Sequence, residues 1–375
     1  MKTLLVLNLG SSSFKFELFN AEDLSTLNKG HFEMSGSGGV NQEEIDRLFR
    51  EVLRQVGDIS ELQAIGHRVV HGGDKFFATQ KITGSELVEL EQLNFLAPLH
   101  NPFNLAGIKA AFDYLPEVPN FAVFDTGFFR DLPLAAKVYP VPYYYYEKGI
   151  HKFGFHGISH KFAAEEAAQE IKKQFDKINV ITVHLGGGCS VAAIHHGKPI
   201  DTSMGFTPLE GLMMQTRPGD LDPGVIIEIL KSLSSCHSRE GGNLEDDDSG
   251  SQVKPGMTNE ELIEKLNHIL NHESGIKGVA GQNDYLELLQ AATFDEKARL
   301  ALDMFINRIK KYVGAYAALL GEVDAIALTG QIGAGKPETK KKIFDKMIVL
   351  KDVPIIIVEP NEELAIAREI KDKII

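Results

Sequence analysis

The stretch Asn8-Leu9-Gly10-Ser11-Ser12-Ser13-Phe14-Lys15 is a small polar turn between two strand-like runs. Residues 4–7 before it are apolar, and residues 14–18 after it alternate between apolar and charged side chains. This pattern predicts a β-hairpin whose tip offers backbone N–H groups and hydroxyls to a phosphate, with Lys15 as a nearby positive charge. A turn of Gly and Ser is equally typical of a plain hairpin, so this one copy leaves both interpretations open.

A second segment with the same pattern lies about 175 residues further along the chain. Val183-His184-Leu185-Gly186-Gly187-Gly188-Cys189-Ser190 again passes from an apolar strand through a glycine turn into an alternating strand. A third glycine tip, at residues 329–333, follows the apolar run 326–328. Two equivalent hairpins indicate an internal duplication, with a phosphate between two similar halves and a nucleotide near the third tip.

Composition limits the classes of protein to consider. A chain of 375 residues is too long for one ordinary core and favours two domains. The formal net charge of −13 argues against nucleic acid as a partner, since binding it requires a basic surface. An anionic substrate would therefore be held by local arginines rather than attracted by the overall charge.

Neither a membrane partner nor export is indicated. No apolar run approaches the roughly 18 residues of a membrane span, and the run after Met1 is shorter than the core of about 7–15 residues in a signal peptide. The only cysteines, Cys189 and Cys236, lack metal-type spacing, which is typical of reduced thiols. We therefore expect a cytoplasmic protein.

Strand-like and helix-like runs alternate along most of the chain, which predicts α/β layers. The predicted strands are 64–70, 121–124, 180–185, 325–329 and 354–358, and the predicted helices are 85–95, 161–175, 297–320 and 336–347. Residues 233–257 break this pattern with few large apolar side chains, and we predict a flexible surface insertion there. Metal binding by Cys236 and His237 is the less favoured interpretation of that segment.

Four short segments place arginine, histidine or aspartate beside turn residues. They are Gly66-His67-Arg68-Val69-Val70-His71-Gly72-Gly73, Val123-Phe124-Asp125-Thr126, Phe153-Gly154-Phe155-His156-Gly157-Ile158-Ser159-His160, and residues 201–211 with 216–220. Each has a structural interpretation by itself: Asp125 as a helix cap, Arg217 as a buried partner of Asp220, and the histidines as hydrogen-bonded core residues. Together they suit phosphoryl transfer, which depends on positioning and charge neutralisation.

Six longer motifs make a specific resemblance. They are Asn-Leu-Gly-Ser-Ser-Ser at 8–13, His-Arg-Val-Val-His-Gly-Gly at 67–73, Leu-Ala-Pro-Leu-His-Asn-Pro at 96–102, Gly-Phe-His-Gly at 154–157, Asp-Thr-Ser-Met-Gly-Phe-Thr-Pro-Leu-Glu-Gly at 201–211 and Asn-Glu-Glu-Leu-Ala-Ile-Ala-Arg at 361–368. From residue 5 to about residue 368 the chain resembles the acetate kinase family, within the superfamily of acetate and sugar kinases, Hsp70 and actin.

The resemblance implies an α/β fold of two duplicated actin-like (ribonuclease H-like) lobes with an active-site cleft between them. The N-terminal lobe would comprise residues 1–129 and 364–375. The C-terminal lobe, 130–363, would bind the nucleotide and form a homodimer. The implied reaction is reversible in-line transfer of a phosphoryl group from ATP to acetate, giving acetyl phosphate and ADP with Mg²⁺ or Mn²⁺.

The resemblance also assigns roles to individual residues. The implied catalytic residues are Arg68, Asp125, His156 and Arg217, and the acetate pocket is implied for Arg68, Val70, Leu99 and Pro208. Phosphate and nucleotide contacts are implied for Ser11, Ser13, Lys15, His184, Leu185, Gly186, Gly187, Gly188, Asp284, Gln331, Ile332 and Gly333, and the metal site for Asn8 and Glu362. No general base is expected, because a carboxylate substrate with a pKa near 4 is already ionised at neutral pH.

The chain departs from the family pattern on the nucleotide side. Gly187 stands where the family has asparagine, Gln331 replaces a glycine, and Ala334-Gly335 replaces a Glu-Asn pair. Leu286 stands where an arginine is expected after Asp284. Either the adenine site has drifted and still binds ATP, or a smaller donor such as pyrophosphate has replaced ATP. A propionate or butyrate kinase and a non-catalytic nucleotide sensor are the remaining alternatives.

Overall fold

Two mixed β-sheets organise the protein. The computed structural model describes residues 1–34, 39–235, 258–335 and 337–374. The strands are β1 (Thr3–Leu9), β2 (Ser13–Asn20), β3 (Thr26–Glu33), β4 (Leu62–Val69), β5 (Gln80–Ile82), β6 (Asn120–Phe124), β7 (Asn179–Leu185), β8 (Cys189–His195), β9 (Lys198–Thr202), β10 (Ala325–Thr329) and β11 (Ile355–Ile357).

Helices connect and cover the strands. They are α1 (Gln42–Val56), α2 (Gly84–Glu91), α3 (Asn101–Tyr114), α4 (Leu134–Lys137), α5 (Tyr144–Glu147), α6 (Gly157–Glu170), α7 (Pro223–Ser235), α8 (Asn259–His268), α9 (Gly275–Ala280), α10 (Tyr285–Ala291), α11 (Glu296–Leu320), α12 (Gly330–Gly335), α13 (Pro337–Phe344) and α14 (Glu362–Ile374). Short 3₁₀ turns lie at Asn94–Leu96, Gly127–Phe129, Phe175–Lys177 and Ile348–Leu350, and a π-helical turn at Ile269–Glu273. Among these described helices, none combines the length and apolar character that crossing a bilayer requires.

The two sheets repeat one topology. The first has the order β3-β2-β1-β4-β6-β5, and the second, read from its other edge, has the order β9-β8-β7-β10-β11. Each sheet contains an antiparallel hairpin, β1–β2 or β7–β8, and the second strand of the hairpin pairs with a third antiparallel strand, β3 or β9. The first strand of the hairpin is followed on its other side by two parallel strands, β4 and β6 or β10 and β11. The predicted α/β fold with two duplicated lobes is therefore confirmed.

The two predicted hairpins occupy equivalent places in the two sheets. β1 pairs with β2 across residues 10–12, and β7 pairs with β8 across residues 186–188. The Gly10 N–H donates to the Ser13 carbonyl at 2.9 Å, and the Gly186 N–H donates to the Gly188 carbonyl at 3.0 Å. Both central strands are buried along their whole length, which explains their continuous apolar sequence.

Helices α6 and α14 form a shared layer between the two sheets. They contact each other, and one apolar cluster joins them to Leu4 and Val6 of the first sheet and to Val180 and Ala325 of the second. Because α14 packs on β1 and β4, its first residues lie near the carboxyl ends of those strands. The exact lobe limits, 1–129 with 364–375 and 130–363, stay predictions.

Several element predictions need correction. The helix predicted at 161–175 ends at Glu170, because Lys172 adopts a left-handed backbone with φ 56° that stops helix propagation. The helix predicted at 85–95 ends at Glu91. Residues 233–235 close α7 and Leu233 is buried, so the insertion predicted from 233 does not begin there. Its remainder, 236–257, lies outside the described residues.

The third glycine tip differs from the other two. β10 passes directly into α12 at Gly330, with no returning strand. Gly330 has φ +84°, and the backbone of Leu185 lies where a side chain would begin. Only glycine fits this junction without strain, which accounts for the Thr-Gly sequence there.

Candidate active site

A cleft of about 420 Å³ lies where β1, β4, β6 and β7 end. This is the usual ligand position in α/β sheets, because several loops and helix starts converge there. Predicted site residues from both lobes line it: Asn8, Ser11, Ser13, Lys15, Arg68, Val70, Asp125, His156, His184, Gly186, Gly187, Gly188, Pro208, Arg217, Gln331 and Glu362.

Five predicted site residues do not line the cleft. Leu185, Ile332 and Gly333 are buried in the second lobe, where they support the glycine turns from behind. Leu99 is 43% exposed outside the cleft. Asp284 caps α10 by accepting from the N–H groups of residues 286 and 287, a role that the sequence does not distinguish from ligand binding.

Arg68, near the end of β4, joins two carboxylates. Its Nη2 lies 2.7 Å from Asp125 Oδ2, and its Nη1 lies 3.0 Å from Glu362 Oε2. Burial disfavours the charge on Arg68, but Asp125 and Glu362 outweigh this effect and raise its pKa. Asp125 is therefore an ion-pair partner rather than the helix cap considered from the sequence.

Hydrogen bonds to Asp125 use two of the five N–H groups of Arg68, Nε–H and one on Nη2, and Nη1 forms an ion pair with Glu362. One N–H on each Nη atom remains. A guanidinium with two such groups matches the two oxygens of a carboxylate.

An acidic edge formed by Asn8, Glu362 and Glu363 borders the cleft. Asn8 Nδ2 donates to Glu362 Oε2 at 3.2 Å and to Glu363 Oε1 at 3.0 Å, so its Oδ1 remains available as an acceptor. Burial and the charge of Glu362 raise the pKa of Glu363. Closely spaced oxygen donors with incompletely neutralised charge fit a hard cation such as Mg²⁺. Over the described ranges, however, no three His, Cys, Asp or Glu side chains are arranged to hold a metal by themselves.

Arg217 is a half-buried cation without a carboxylate partner in the described parts of the chain. Its Nη1 donates to the Pro208 carbonyl at 3.0 Å, and Asp220 instead accepts from Gly211 N and Tyr312 Oη. Burial lowers the pKa of Arg217. Because a partly desolvated charge without an ionic partner is unfavourable, this arrangement favours an anionic ligand.

Arg217 and His156 meet over Gly188. A Cβ added to Gly188 would lie 3.0 Å from Arg217 Nη2, 3.0 Å from His156 Nε2 and 2.9 Å from His156 Cε1. Two nitrogen donors thus converge on the tip of the second hairpin, and a glycine leaves the space between them open. Together they can bind the oxygens of a transferring phosphoryl group.

The Gly-Phe-His-Gly motif gives His156 its position. His156 has a left-handed backbone, with φ 60° and ψ 24°, directly before α6. Gly157 N donates to the Asp125 carbonyl at 2.8 Å, and that carbonyl fills the space where a side chain at 157 would begin. The motif therefore connects His156 to Asp125 on the facing lobe, and strain of this kind is typical of functional sites.

The histidines of the cleft are neutral at pH 7. Burial lowers the pKa of His184 and of His100 to about 4 in each case. Burial, with the neighbouring ring of His184 and the positive charge of Arg68, holds the pKa of His156 well below its usual range. Each ring can therefore donate one hydrogen bond and accept one.

Sequence reasoning missed several residues that line the cleft: Ser12, His100, Asn104, Phe155, Pro360 and Glu363. Asn104 joins two of the converging strands, because it donates to the Leu9 carbonyl at 2.6 Å and accepts from Val70 N at 3.0 Å. Asn101 makes a matching pair of bonds with the backbone of His71. The available signal was a pair of asparagines, Asn101 within the 96–102 motif and Asn104 just after it.

A model of the acetokinase family matches residues 35–239 and 254–351. The chain belongs to the acetokinase family. It is 39% identical over 413 aligned positions to the acetate kinase of Carboxydothermus hydrogenoformans, with 97% of each chain covered. It is 42% identical over 369 positions to the acetate kinase of Helicobacter acinonychis, covering 91% of this chain and 86% of that relative. The resemblance drawn from the motifs is confirmed.

Two solved structures share the fold over 98% or more of each chain. The acetate kinase of Porphyromonas gingivalis has a TM-score of 0.81 and 32% identity, with 100% of both chains covered. A propionate kinase from Francisella tularensis has a TM-score of 0.82 and 33% identity, with 98% of this chain and 99% of that chain covered. The fold therefore does not separate the two acceptor acids.

Proposed function

We propose that this protein is an acetate kinase that transfers a phosphoryl group reversibly from ATP to acetate. Membership of the acetokinase family supports a carboxylate acceptor. One observation carries the assignment of an active enzyme: His156 Nε2 and Arg217 Nη2 converge over Gly188, in the cleft that Arg68 also lines. A cleft that only held a nucleotide would not require a second arginine with free donors.

The carboxylate binds at the first-lobe side of the cleft. Arg68 orients the two acetate oxygens, and Asp125 and Glu362 hold Arg68 in place. Val70 and Pro208 line the cleft and bound the space for the methyl group. The acetate is already ionised, so its oxygen attacks the terminal phosphorus without a base.

In the transfer step, the acetate oxygen forms a bond to the γ-phosphorus as the bond from phosphorus to the β,γ-bridging oxygen breaks. ADP leaves with that electron pair, and no enzyme atom forms a covalent bond. Arg217 and the Nε2–H of His156 stabilise the charge on the equatorial oxygens. Ser11, Ser13, Lys15 and the glycine turn at 186–188 hold the remaining phosphates.

Mg²⁺ or Mn²⁺ is the implied metal, and Asn8 and Glu362 would hold it with Glu363 close by. When bound, such an ion neutralises phosphate charge and helps to orient the donor. Burial raises the pKa of Glu363, while Arg68 keeps the pKa of Glu362 low against burial, so Glu362 provides the more acidic ligand.

Pyrophosphate is the second candidate donor, favoured by one observation. Of the residues predicted to contact adenosine, only Gln331 lines the cleft, while Asp284 caps a helix and Ile332 is buried. Loss of one hydrogen bond to the nucleotide costs about 0.5–1.5 kcal/mol of binding free energy. If the costs are roughly additive, three such losses weaken ATP binding by about one to three orders of magnitude.

A cytoplasmic homodimer formed through the second lobe is part of the same proposal. Leu300, Met304 and Leu319 of α11 are exposed apolar side chains in that lobe. Sedimentation equilibrium tests the proposal, since a monomer at micromolar concentration would contradict it.

The deciding assay traps acyl phosphate with hydroxylamine, using acetate, propionate and butyrate with Mg²⁺ and either ATP or pyrophosphate. We expect the highest kcat/KM with acetate and ATP. Turnover with pyrophosphate alone would establish the second donor, and a preference for propionate would change the acceptor. Nucleotide binding without product from any pair would favour a non-catalytic sensor.

A further inference from the structure

A row of buried polar side chains runs from the cleft into the second lobe behind His156. His156 Nδ1 lies 2.9 Å from Ser190 Oγ, Ser190 Oγ lies 2.7 Å from His160 Nε2, and His160 Nδ1 lies 2.6 Å from Thr182 Oγ1. Ser190, His160 and Thr182 are fully buried. The row therefore exchanges no hydrogen bond with bulk water along its length.

Each histidine in this row carries a single proton. Burial, with the neighbouring ring of His184, holds the pKa values of both His156 and His160 well below their ordinary range. A neutral ring donates from one nitrogen and accepts at the other. The three hydrogen bonds consequently share one direction, and reversing one bond requires reversal of all three.

The far end of the row selects the direction. Within the described ranges, Thr182 Oγ1 has no hydrogen-bond partner except His160 Nδ1. If Thr182 accepted from His160, its own buried hydroxyl proton would have no acceptor, at a cost of about 1–3 kcal/mol. Thr182 therefore donates to His160, His160 Nε2–H donates to Ser190, and Ser190 O–H donates to His156 Nδ1.

We propose that Thr182, His160 and Ser190 are positioning residues, which keep His156 Nδ1 as an acceptor and thus present Nε2–H to the cleft. The role assigned to that proton rests on the proposed function. The opposite direction would place a lone pair at Nε2, beside the phosphoryl oxygens, and would replace an attraction with a repulsion.

This proposal accounts for residue types that the catalytic contacts leave unexplained. Ser190 pairs with His184 across the β7–β8 ladder, so its side chain begins at the base of the glycine turn. His160 lies in the first turn of α6, four residues after His156, and its N–H donates to the His156 carbonyl at 2.9 Å, which keeps the two residues close together. The hairpin and the helix thus meet through Ser190.

The test combines histidine NMR with kinetics on the full-length protein. Protein labelled with ¹⁵N-histidine gives the tautomer of each ring from long-range ¹H–¹⁵N couplings, with His156 assigned by loss of its signals in His156→Gln. We expect Nε2–H for both His156 and His160 in the unmodified protein. Finding His156 as the Nδ1–H tautomer would overturn the proposal.

Ser190→Ala removes the central link. We expect His156 to populate both tautomers in this variant. We also expect kcat for acyl phosphate formation to fall by about 10- to 100-fold, the scale found when a metal-binding histidine loses the hydrogen-bond partner that fixes its tautomer. KM for acetate should change little, because the lost interaction acts in the transition state. Ser190→Thr, which keeps the hydroxyl, should restore both the single tautomer and kcat.

Ser203→Ala is the matched control. Ser203 is also fully buried, and its Oγ accepts from Val191 N at 2.9 Å outside the row. This variant should keep the His156 tautomer and kcat even where its stability falls. Thr182→Val should alter the tautomers of His160 and His156 together.

Two results would refute the proposed role of the row. One is an unchanged His156 tautomer and kcat in Ser190→Ala, and the other is a loss of kcat in Ser190→Ala no greater than that in Ser203→Ala. The NMR readout needs no turnover. If the unmodified protein makes no acyl phosphate with any donor, the proposed function fails, while the tautomers still decide whether the row is directed as proposed.

Discussion

The guanidinium of Arg68 donates to the buried carboxylate of Asp125, with Nη2 2.7 Å from Oδ2. Arg68 is the last residue but one of β4, and Asp125 directly follows the neighbouring parallel strand β6; the two strands pair in register up to Val69 and Phe124. The sheet therefore sets the spacing of the ion pair. The guanidinium is held before a substrate arrives, and little reorganisation remains for the reaction.

Arg68→Lys keeps the charge but removes the planar fork. One ammonium cannot bond to Asp125, Glu362 and acetate at once. Loss of two charge-assisted hydrogen bonds, at about 1.5 kcal/mol each, predicts a fall of about 10²-fold in kcat/KM for acetate. Initial rates of acyl phosphate formation across acetate concentrations measure this. Arg54→Lys, at an exposed pair with Glu51, is the control and should leave the rates unchanged.

Arg217→Ala should lower kcat by at least about 10²-fold with the fold intact, the scale for losing one electrostatic stabiliser of a transition state. The site loses the guanidinium that lies over Gly188, so binding of the donor should weaken less than turnover. Single-turnover rates with circular dichroism of the variant separate chemistry from folding. Near-normal turnover would remove Arg217 from the mechanism.

Gly188→Ala and Gly187→Ala form a matched pair in one turn. At 188 the new methyl group would lie within 3.0 Å of both Arg217 Nη2 and His156 Nε2, whereas at 187 the nearest atom is Gln215 Oε1 at 3.5 Å. We expect a loss of activity of tenfold or more at 188, on the order of 1.4 kcal/mol or above, and little loss at 187. Equal effects in the two variants would show that the space over Gly188 is not used.

Gly187→Asn places the residue expected from the family pattern in the same turn and tests whether its amide contributes to nucleotide binding. Since a Cβ at 187 meets only an ordinary contact, the variant should fold and keep its turnover. A lower KM for ATP would indicate that the missing amide weakened the nucleotide site.

His67 should make stability depend on pH. Burial lowers its pKa to about 4, and its Nε2 lies 2.7 Å from Asn120 Oδ1. The unfolded state binds a proton near pH 6.5 and the folded state only near pH 4, so the stabilising contribution is present above 6.5 and is lost as the pH falls to 4.

Urea unfolding of the unmodified protein and of His67→Gln isolates this single group. Between pH 6.5 and 4, the free energy of unfolding of the unmodified protein should fall relative to that of the variant by up to about 1.4 kcal/mol per pH unit. A constant difference between the two proteins across that range would contradict the assignment.

The sequence was sufficient for features encoded by local pattern. Period-two alternation after the Asn8 and His184 turns predicted both hairpins, and repetition of the pattern predicted the two lobes. It was insufficient where one residue type serves two roles. Asp284 before a helix is equally typical of a cap and of a ligand, and its hydrogen bonds show the cap.

Packing was the second limit of the sequence. Glu363 and Asn104 reach the cleft only because α14 and α3 pack on the first sheet, and no local pattern reports such docking. Ile332 and Gly333 are buried because the chain turns sharply at Gly330, where it packs against the backbone of Leu185. The space between Gly188, His156 and Arg217 is likewise formed by residues that are distant in sequence, so no local pattern predicts it.

The bond between Asn8 and Glu363 joins residues 355 positions apart. Closing a loop of that length is entropically costly, and non-local contacts of this kind form late in folding. A nascent chain therefore displays its first phosphate turn long before it can complete the acidic edge. Partly synthesised molecules lack the acidic edge until α14 has been made and has packed on β1 and β4.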